Sequence, residues 1–241
     1  MFDIGRHRCV LFDVDGTIAE TEGQAHLPAF NHALKEAGLG WRWTTHDYQR
    51  LLKTTGGLER LLRYAEETGN DPDALRPMLT EVHKAKNAHF ATILASGAVQ
   101  PREGFADLVR QLADLGITWG VVTTTSRANW DALWRYSLAP FNLPSPQVVI
   151  VGEDVRLKKP AAEAYLLALE NLRLPTEYCC AIEDSRNGLQ AAMGAGLEVA
   201  IVRSQFFGDE EFGGASVVVN ELSELVQQLE QRSSLIPVDS V

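Results

Sequence analysis

Short apolar runs rich in β-branched residues alternate with longer amphipathic segments along most of this chain, and no other feature limits its possible folds as strongly. The short runs predict strands, and the segments between them have helical periodicity. The predicted strands are residues 9–12, 118–123, 148–151, 179–182, 199–202 and 216–219. Strand–helix–strand order at this spacing predicts parallel pairing through right-handed crossovers. Because the runs are apolar throughout, we expect helices on both faces of the sheet.

One long region interrupts this alternation. No segment between about residues 21 and 96 predicts a strand, and the helical patterns there cover residues 26–37, 46–52, 58–68, 73–79 and 81–94. The helices predicted elsewhere cover residues 105–115, 129–136, 161–172, 188–195 and 222–229. We therefore predict an α/β protein: a parallel, Rossmann-like core of residues 1–19 and 97–241, with an α-helical cap of residues 20–96 inserted after the first strand. The terminal segment "SSLIPVDSV", residues 233–241, is predicted to fray.

Composition excludes some classes of protein. Hydrophobic residues make up 45% of the 241 residues, enough for a sizeable core, and the net charge of −10 disfavours a nucleic-acid binder. No apolar run reaches the roughly 18 residues of a membrane span, and no signal-peptide pattern is present. The three cysteines, Cys9, Cys179 and Cys180, lie in predicted buried strands. We expect a cytoplasmic monomer without nucleic-acid or membrane partners.

The first predicted strand runs directly into two acidic residues, in "CVLFDVDGTIAETEG". Asp13 ends the strand, Asp15 follows it, and Gly16 permits a sharp backbone turn. In an open parallel sheet, ligands bind beyond the carboxyl ends of the strands. Two carboxylates this close repel each other unless one is protonated or a cation lies between them. The pattern therefore predicts a site for Mg²⁺, which prefers oxygen ligands.

Two other interpretations of this stretch exist. In a calcium-binding loop, Asp13 and Asp15 would be the third and fifth positions and Glu22 the twelfth. The first position would then be Leu11, which cannot bind a metal, and a strand instead of a helix precedes it. The other interpretation is a structural turn with two surface acids.

Polar residues also follow three later strands. Hydroxyls come at residues 123–125 after "WGVV", Lys158 and Lys159 come in "LKKP", and Glu183 and Asp184 come after "CCAI". Each pattern alone has a structural explanation, such as a solvated lysine or a helix N-cap. Because parallel strands end at one edge of the sheet, the topology brings carboxylates, hydroxyls and an ammonium group together there.

The stretches "DVDGT", "VVTTTS", "KKP" and "IEDS", in this order, resemble the four motifs of the haloacid dehalogenase superfamily. The helical insert resembles the cap of its β-phosphoglucomutase-like group, and the similarity covers about residues 8–230. More narrowly, "FDVDGTIAETE", "TTGG", "VTTTS" and "KKP" resemble the sugar-bisphosphate phosphatases linked to the Calvin cycle, which act on xylulose 1,5-bisphosphate.

The resemblance implies an Mg²⁺-dependent phosphatase that hydrolyses a small sugar phosphate or bisphosphate through an aspartyl-phosphate. Asp13 would be the nucleophile. Asp15 would be the general acid and base, and we expect it to begin protonated. Thr123 would bind a phosphoryl oxygen, and Lys159 would neutralise charge on the nucleophile and the phosphoryl group.

The resemblance also implies a metal site and a substrate site. Mg²⁺ would be held by Asp13, the backbone carbonyl of Asp15 and Asp184, with Glu183 beside it. Arg60 and Lys86 would bind a second phosphate, although Leu58 follows the glycine pair where a basic residue is frequent in the family. The residues expected to face the substrate are Glu20, Thr55, Gly56, Gly57, Arg60, Lys86 and Thr124.

Two rival functions share this scaffold. A sugar-phosphate mutase would return the phosphoryl group to a sugar instead of water, and Thr17, where those mutases tend to carry an apolar residue, favours the phosphatase. A catalytically silent binding domain would usually lack one of the motif residues, and all are present here. Neither the G-x-S-x-G motif nor a phosphate-binding P-loop occurs in the sequence.

Overall fold

A computed structural model describes residues 2–233 and contains, over that range, one six-stranded sheet. The strands are β1 Cys9–Phe12, β2 Thr118–Val122, β3 Val149–Ile150, β4 Cys179–Glu183, β5 Glu198–Val202 and β6 Val217–Val219. All neighbouring strands pair in parallel, in the order β3-β2-β1-β4-β5-β6. The chain builds one half of the sheet from β1 to β3 and then crosses to β4. The topological switch point, where ligands bind in such sheets, therefore lies beside β1 and β4.

Helices cover both faces of this sheet, as predicted. They are α5 Phe105–Asp114, α6 Arg127–Leu133, α7 Glu163–Leu172, α8 Arg186–Gly194 and α9 Leu222–Ser233. Successive residues of β1 belong to different hydrophobic clusters: Phe12 packs with α5, α6 and α9, and Leu11 packs with α7 and α8. Burial on both faces explains why the strands are apolar throughout.

The insert after β1 is helical and has a hydrophobic cluster of its own. It begins with a π-helical turn, Glu22–His26, and continues with α1 Leu27–Glu36, α2 Thr45–Leu51, α3 Gly57–Glu67 and α4 Pro72–Ala95. Thr44 and Asp47 form a reciprocal capping box at the start of α2. The cluster includes Phe30, Trp43 and Leu61. The predicted helical cap is confirmed as part of the fold, whereas the boundaries at residues 19/20 and 96/97 stay predictions.

One helical prediction was wrong. Residues 73–79 and 81–94 were expected to form two helices, and the structure has the continuous helix α4, with Pro77 inside it. Proline removes a single backbone hydrogen bond near the start of this helix. Leu79, Val82 and Phe90 are buried along its length, so tertiary packing outweighs that local cost.

Two further predictions concern the C-terminal tail and membrane-spanning segments. The expected frayed tail lies outside the described residues except for Ser233, the last residue of α9. Among the residues that the structure describes, none of the helices combines the length and apolar character needed to cross a membrane.

Candidate active site

Asp13 lies directly at the carboxyl end of β1, a central strand of the sheet. The backbone N–H of Asp13 donates to the carbonyl of Ile182 at 3.0 Å, which extends the β1–β4 pairing by one residue. The chain then turns at Gly16, where φ is +95°. A Cβ atom at Gly16 would lie 2.0 Å from Oδ2 of Asp184. Glycine is therefore required both by the turn and by its close approach to Asp184.

A buried lysine connects the ends of three strands. Nζ of Lys159 donates to Oδ1 of Asp13 at 2.7 Å, to Oε1 of Glu183 at 2.6 Å and to the carbonyl of Val122 at 2.7 Å. The hydroxyl of Tyr165 also donates to Oε1 of Glu183, at 2.6 Å. The ammonium group thus fixes the orientation of Asp13 relative to the acids that follow β4.

Asp13, Glu183 and Asp184 form a buried cluster whose ligand atoms can all lie within 4.8 Å of one another. Within residues 2–233, Lys159 is the one ammonium group that pairs with these three carboxylates, so the ionised cluster would carry two unbalanced negative charges. Burial raises the pKa of Asp13 to about 8 and raises the pKa of Asp184 as well. Oε2 of Glu183 and Oδ2 of Asp184 have no hydrogen-bond partner among the described residues. Unpaired oxygens and a net charge of this sign fit a divalent cation, so the cluster could hold a metal.

Asp15 has different neighbours, all from the insert and its connection. Its Oδ1 accepts from the hydroxyl of Thr21 at 2.5 Å and lies 3.1 Å from Nε2 of His26. Nζ of Lys86 lies 2.6 Å from Nδ1 of His26. When Lys86 is charged it can only donate, so Nδ1 of His26 then accepts and the proton on Nε2 points to Asp15.

These contacts change the expected protonation of Asp15. Burial alone would raise the pKa of Asp15, but His26, Thr21 and Lys86 outweigh burial and lower that pKa to about 2. In this conformation Asp15 is therefore held ionised, and its protonation at the start of the reaction stays a prediction. The pKa of Lys86 is lowered to about 7, because burial outweighs the attraction of Asp15 and Glu22.

A second polar network lies within the insert. The guanidinium of Arg60 donates to the carbonyl of Thr54 at 3.0 Å, to the Tyr48 hydroxyl at 3.0 Å and to Glu22 at 3.4 Å. The Tyr48 hydroxyl in turn donates to Glu22. Arg60 and Glu22 are both largely buried, so the network neutralises a carboxylate that water reaches poorly.

The insert and the sheet edge enclose a cleft of about 270 Å³. Most residues predicted for the site line this cleft: Asp13, Asp15, Thr55, Gly56, Gly57, Arg60, Lys86, Thr124, Lys159 and Asp184. Glu22, His26, His83 and Lys158 also line it. None of these four is among the residues predicted for the phosphatase site: Lys158 was noted only as the neighbour of Lys159, and nothing in the sequence around Glu22, His26 and His83 distinguishes them from solvated or core positions.

Three predicted site residues lie outside the cleft lining. The Thr123 hydroxyl is buried and accepts from the backbone N–H of Thr125 at 3.1 Å. Glu183 is fully buried behind Lys159. Glu20 lies at the connection between sheet and insert, where it accepts from the backbone N–H of Gln205 at 3.1 Å and pairs with Arg102 at 3.2 Å. In this conformation the structure does not bring Glu20 to the cleft.

Comparisons with known proteins give the same assignment as the motifs. The family model for haloacid dehalogenase-like hydrolases matches residues 7–196. Protein CbbY from Rhodobacter capsulatus is 40% identical over 224 residues, which cover 92% of this chain and 96% of that protein. A crystal structure of CbbY from Rhodobacter sphaeroides in complex with xylulose (1,5)bisphosphate is 39% identical, with a TM-score of 0.84, and the match covers 91% of this chain and 96% of the other.

A more distant structure, a putative β-phosphoglucomutase from Thermotoga maritima, is 24% identical with a TM-score of 0.67 and shares the fold; the match covers 95% of this chain and 100% of the other. The predicted family, fold class and phosphatase-type enzyme class are thus confirmed. By its motifs, its fold and its similarity over most of its length, the chain belongs to the haloacid dehalogenase-like hydrolases.

Proposed function

We propose that this hydrolase is an Mg²⁺-dependent phosphatase that acts on a phosphorylated sugar, with xylulose 1,5-bisphosphate as its substrate. The observation that carries the proposal is the contact of Lys159 with Asp13 within the buried acidic cluster, beneath a cleft roofed by the insert. The choice of sugar rests on the relative from Rhodobacter sphaeroides, whose crystal structure contains that bisphosphate.

Asp13 is the proposed nucleophile. Lys159 binds one oxygen of its carboxylate and leaves the other for attack on phosphorus. A bond forms between Asp13 and phosphorus while the bond from phosphorus to the sugar oxygen breaks, which gives an aspartyl-phosphate and an alcohol. Water then attacks the aspartyl-phosphate and releases inorganic phosphate.

Asp15 is the proposed general acid and base. Its contacts with His26 and Thr21 hold it ionised, the state it needs in order to take a proton from water in the second step. In the first step it must donate a proton to the leaving oxygen. The negative charge of a bound phosphate beside Asp15 would raise its pKa and favour that protonated form.

Asp13, Asp184 and the backbone carbonyl of Asp15 are the proposed ligands of Mg²⁺, with Glu183 beside them. When bound, the ion would balance the two excess negative charges of the cluster, so that the phosphoryl group approaches a site without net negative charge. The Thr123 hydroxyl is the proposed partner of a phosphoryl oxygen, to which it can donate its proton while it still accepts from the backbone N–H of Thr125.

The insert is the proposed cap, covering residues 20–96, and it would choose the substrate. Arg60, Lys86 and residues 55–57 face the cleft from the cap, and Thr124 faces it from the core. Closing this cleft would exclude water from Asp13 until the product leaves. The predicted monomeric state and cytoplasmic location stay proposals.

The test is a phosphate-release screen over sugar monophosphates and bisphosphates, including xylulose 1,5-bisphosphate, with Mg²⁺ and after chelation. We expect release that requires Mg²⁺ and that Asp13→Asn abolishes, because an amide is a poor nucleophile of nearly equal size. A folded Asp13→Asn protein with substantial turnover would refute the nucleophile. Isomerised sugar phosphate without free phosphate would indicate a mutase, and the absence of any turnover would indicate a silent binding domain.

A further inference from the structure

Among the described residues, four side-chain ammonium or guanidinium groups line the cleft, and three of them are largely buried against their partners. Lys159 binds two carboxylates and a carbonyl, and its side chain is 5% exposed. Arg60 binds Glu22, Tyr48 and a carbonyl, and its side chain is 12% exposed. Lys86 is buried against His26. Removing any of these three cations from its partners would leave buried polar groups without a hydrogen-bond or ion-pair partner.

Lys158 is the exception. Its Nζ donates to Oε1 of Glu59 at 2.6 Å and has no other side-chain hydrogen-bond partner within residues 2–233. Its side chain is 27% exposed and that of Glu59 is 45% exposed. Lys158 precedes Lys159 on the core, and Glu59 lies in the first turn of α3 in the insert. The ion pair therefore joins the two parts of the molecule across the wall of the cleft.

The backbone beside this pair is shaped to admit it. Gly56 has a φ of +102°, a conformation that side chains rarely adopt. A Cβ atom there would lie 2.1 Å from Oε2 of Glu59 and 2.8 Å from Nζ of Lys158. The glycine in the "TTGG" turn thus leaves the space in which Lys158 and Glu59 meet.

A second phosphate on the substrate needs a cation in this cleft. The cleft is already acidic, since Asp13, Asp15, Glu22 and Asp184 line it, so its cations are already in use: Lys86, buried against His26, helps to hold Asp15 ionised, and the other three pair with carboxylates. Taking Arg60 from buried Glu22 would leave a buried charge unpaired, which is costly. Taking Lys158 from Glu59 would leave a carboxylate that water can solvate, and an exposed ion pair is weak.

We propose that Lys158 binds the second phosphate of a bisphosphate substrate and that Glu59 occupies its place when no such substrate is bound. This inference rests on the proposed function and names a residue that selects bisphosphates. The phosphate replaces Glu59 as the group that Lys158 holds, so the same lysine links cap and core in both states. Glu59 acts as a competitor that a second phosphate displaces and that a monophosphate leaves in position.

The experiment compares Lys158→Met and Glu59→Gln on xylulose 1,5-bisphosphate and on p-nitrophenyl phosphate, which has no second phosphate. Losing a charged contact should raise KM for the bisphosphate about tenfold or more in Lys158→Met, with a much smaller effect on the ester. Glu59→Gln should lower KM for the bisphosphate, because the competitor is gone. Lys158→Arg should recover most of the loss.

A matched control is Lys84→Met, because Lys84 pairs with Glu81 at 2.7 Å on an exposed face of α4. It should leave both activities unchanged. Equal losses on the two substrates in Lys158→Met, or a higher bisphosphate KM in Glu59→Gln, would overturn the inference. The ion pair would then only hold the insert against the core. Failure of the unmodified protein to hydrolyse the bisphosphate would instead refute the proposed substrate, and the inference with it. Melting temperatures show that each variant is folded.

Discussion

Replacing Asp13 with asparagine should stabilise the metal-free protein at neutral pH, even though it removes the proposed nucleophile. Asp13 is buried with two other carboxylates and a single ammonium. Burial raises its pKa from 3.8 to about 8, so folding opposes the ionisation of this group. The folded protein keeps the proton up to a pH of about 8, whereas the unfolded chain releases it near pH 3.8. Stability therefore falls as the pH rises through this interval.

The magnitude follows from the size of the interval. Between pH 3.8 and pH 7, at about 1.4 kcal/mol per unit, Asp13 lowers the free energy of unfolding by about 4 kcal/mol. At pH 5 the same calculation gives about 2 kcal/mol. Asparagine keeps an oxygen that can accept from Lys159, but it places an N–H donor where the protonated carboxyl has its hydroxyl, and a buried polar group without a matched partner costs up to about 3 kcal/mol. The expected net gain is about 1–2 kcal/mol at pH 7 and about zero at pH 5.

The assay is thermal unfolding with a chelator at pH 5, 6 and 7. For a protein of this size the gain at pH 7 corresponds to an increase in melting temperature of about 2–8 °C. Asp107→Asn is the matched control, because Asp107 is exposed and pairs with Arg110 on α5. Adding Mg²⁺ should stabilise the unmodified protein and reverse the order, because binding to the folded state alone raises stability.

A metal-free Asp13→Asn protein that melts well below the unmodified protein at pH 7 would refute the reasoning. So would a difference between the two proteins that does not grow with pH. Either result would mean that Lys159 and the neighbouring backbone already balance the cluster, and that no cation is needed to relieve it.

Three further predictions concern the surroundings of the site. Gly188→Ala would place a Cβ atom 1.8 Å from Oε2 of Glu183. We therefore expect the Mg²⁺ concentration that gives half-maximal phosphate release to rise at least about tenfold. Excess Ca²⁺ should inhibit turnover measured in Mg²⁺, because calcium accepts more ligands in looser geometry; full activity in Ca²⁺ alone would contradict this. Arg60→Ala should lower the free energy of unfolding by about 3–5 kcal/mol, because it leaves buried Glu22 without its cation. The exposed Arg63→Ala should change it by less than about 0.5 kcal/mol, and equal effects in denaturant melts would disprove the difference.

The sequence by itself determined the sheet and the place where its polar residues gather. Apolar runs buried on both faces have few alternatives to a parallel sheet, and parallel strands all end at the same edge. Asp13, Lys159 and Asp184 could therefore be predicted to meet although they are far apart along the chain, and the structure brings them together. The turn at Gly16 could also be predicted, because a tight turn limits which residues fit.

The tertiary structure alone decided how the polar residues of the insert pair. Periodicity shows which face of a helix is apolar, but it does not show which charged groups meet across two packed parts of a molecule. His26 meets Lys86 sixty residues later and thereby sets the ionisation of Asp15. Glu59 meets Lys158, 99 residues away. These contacts depend on where the insert rests over the sheet, and that position is fixed by packing between surfaces that no local pattern encodes.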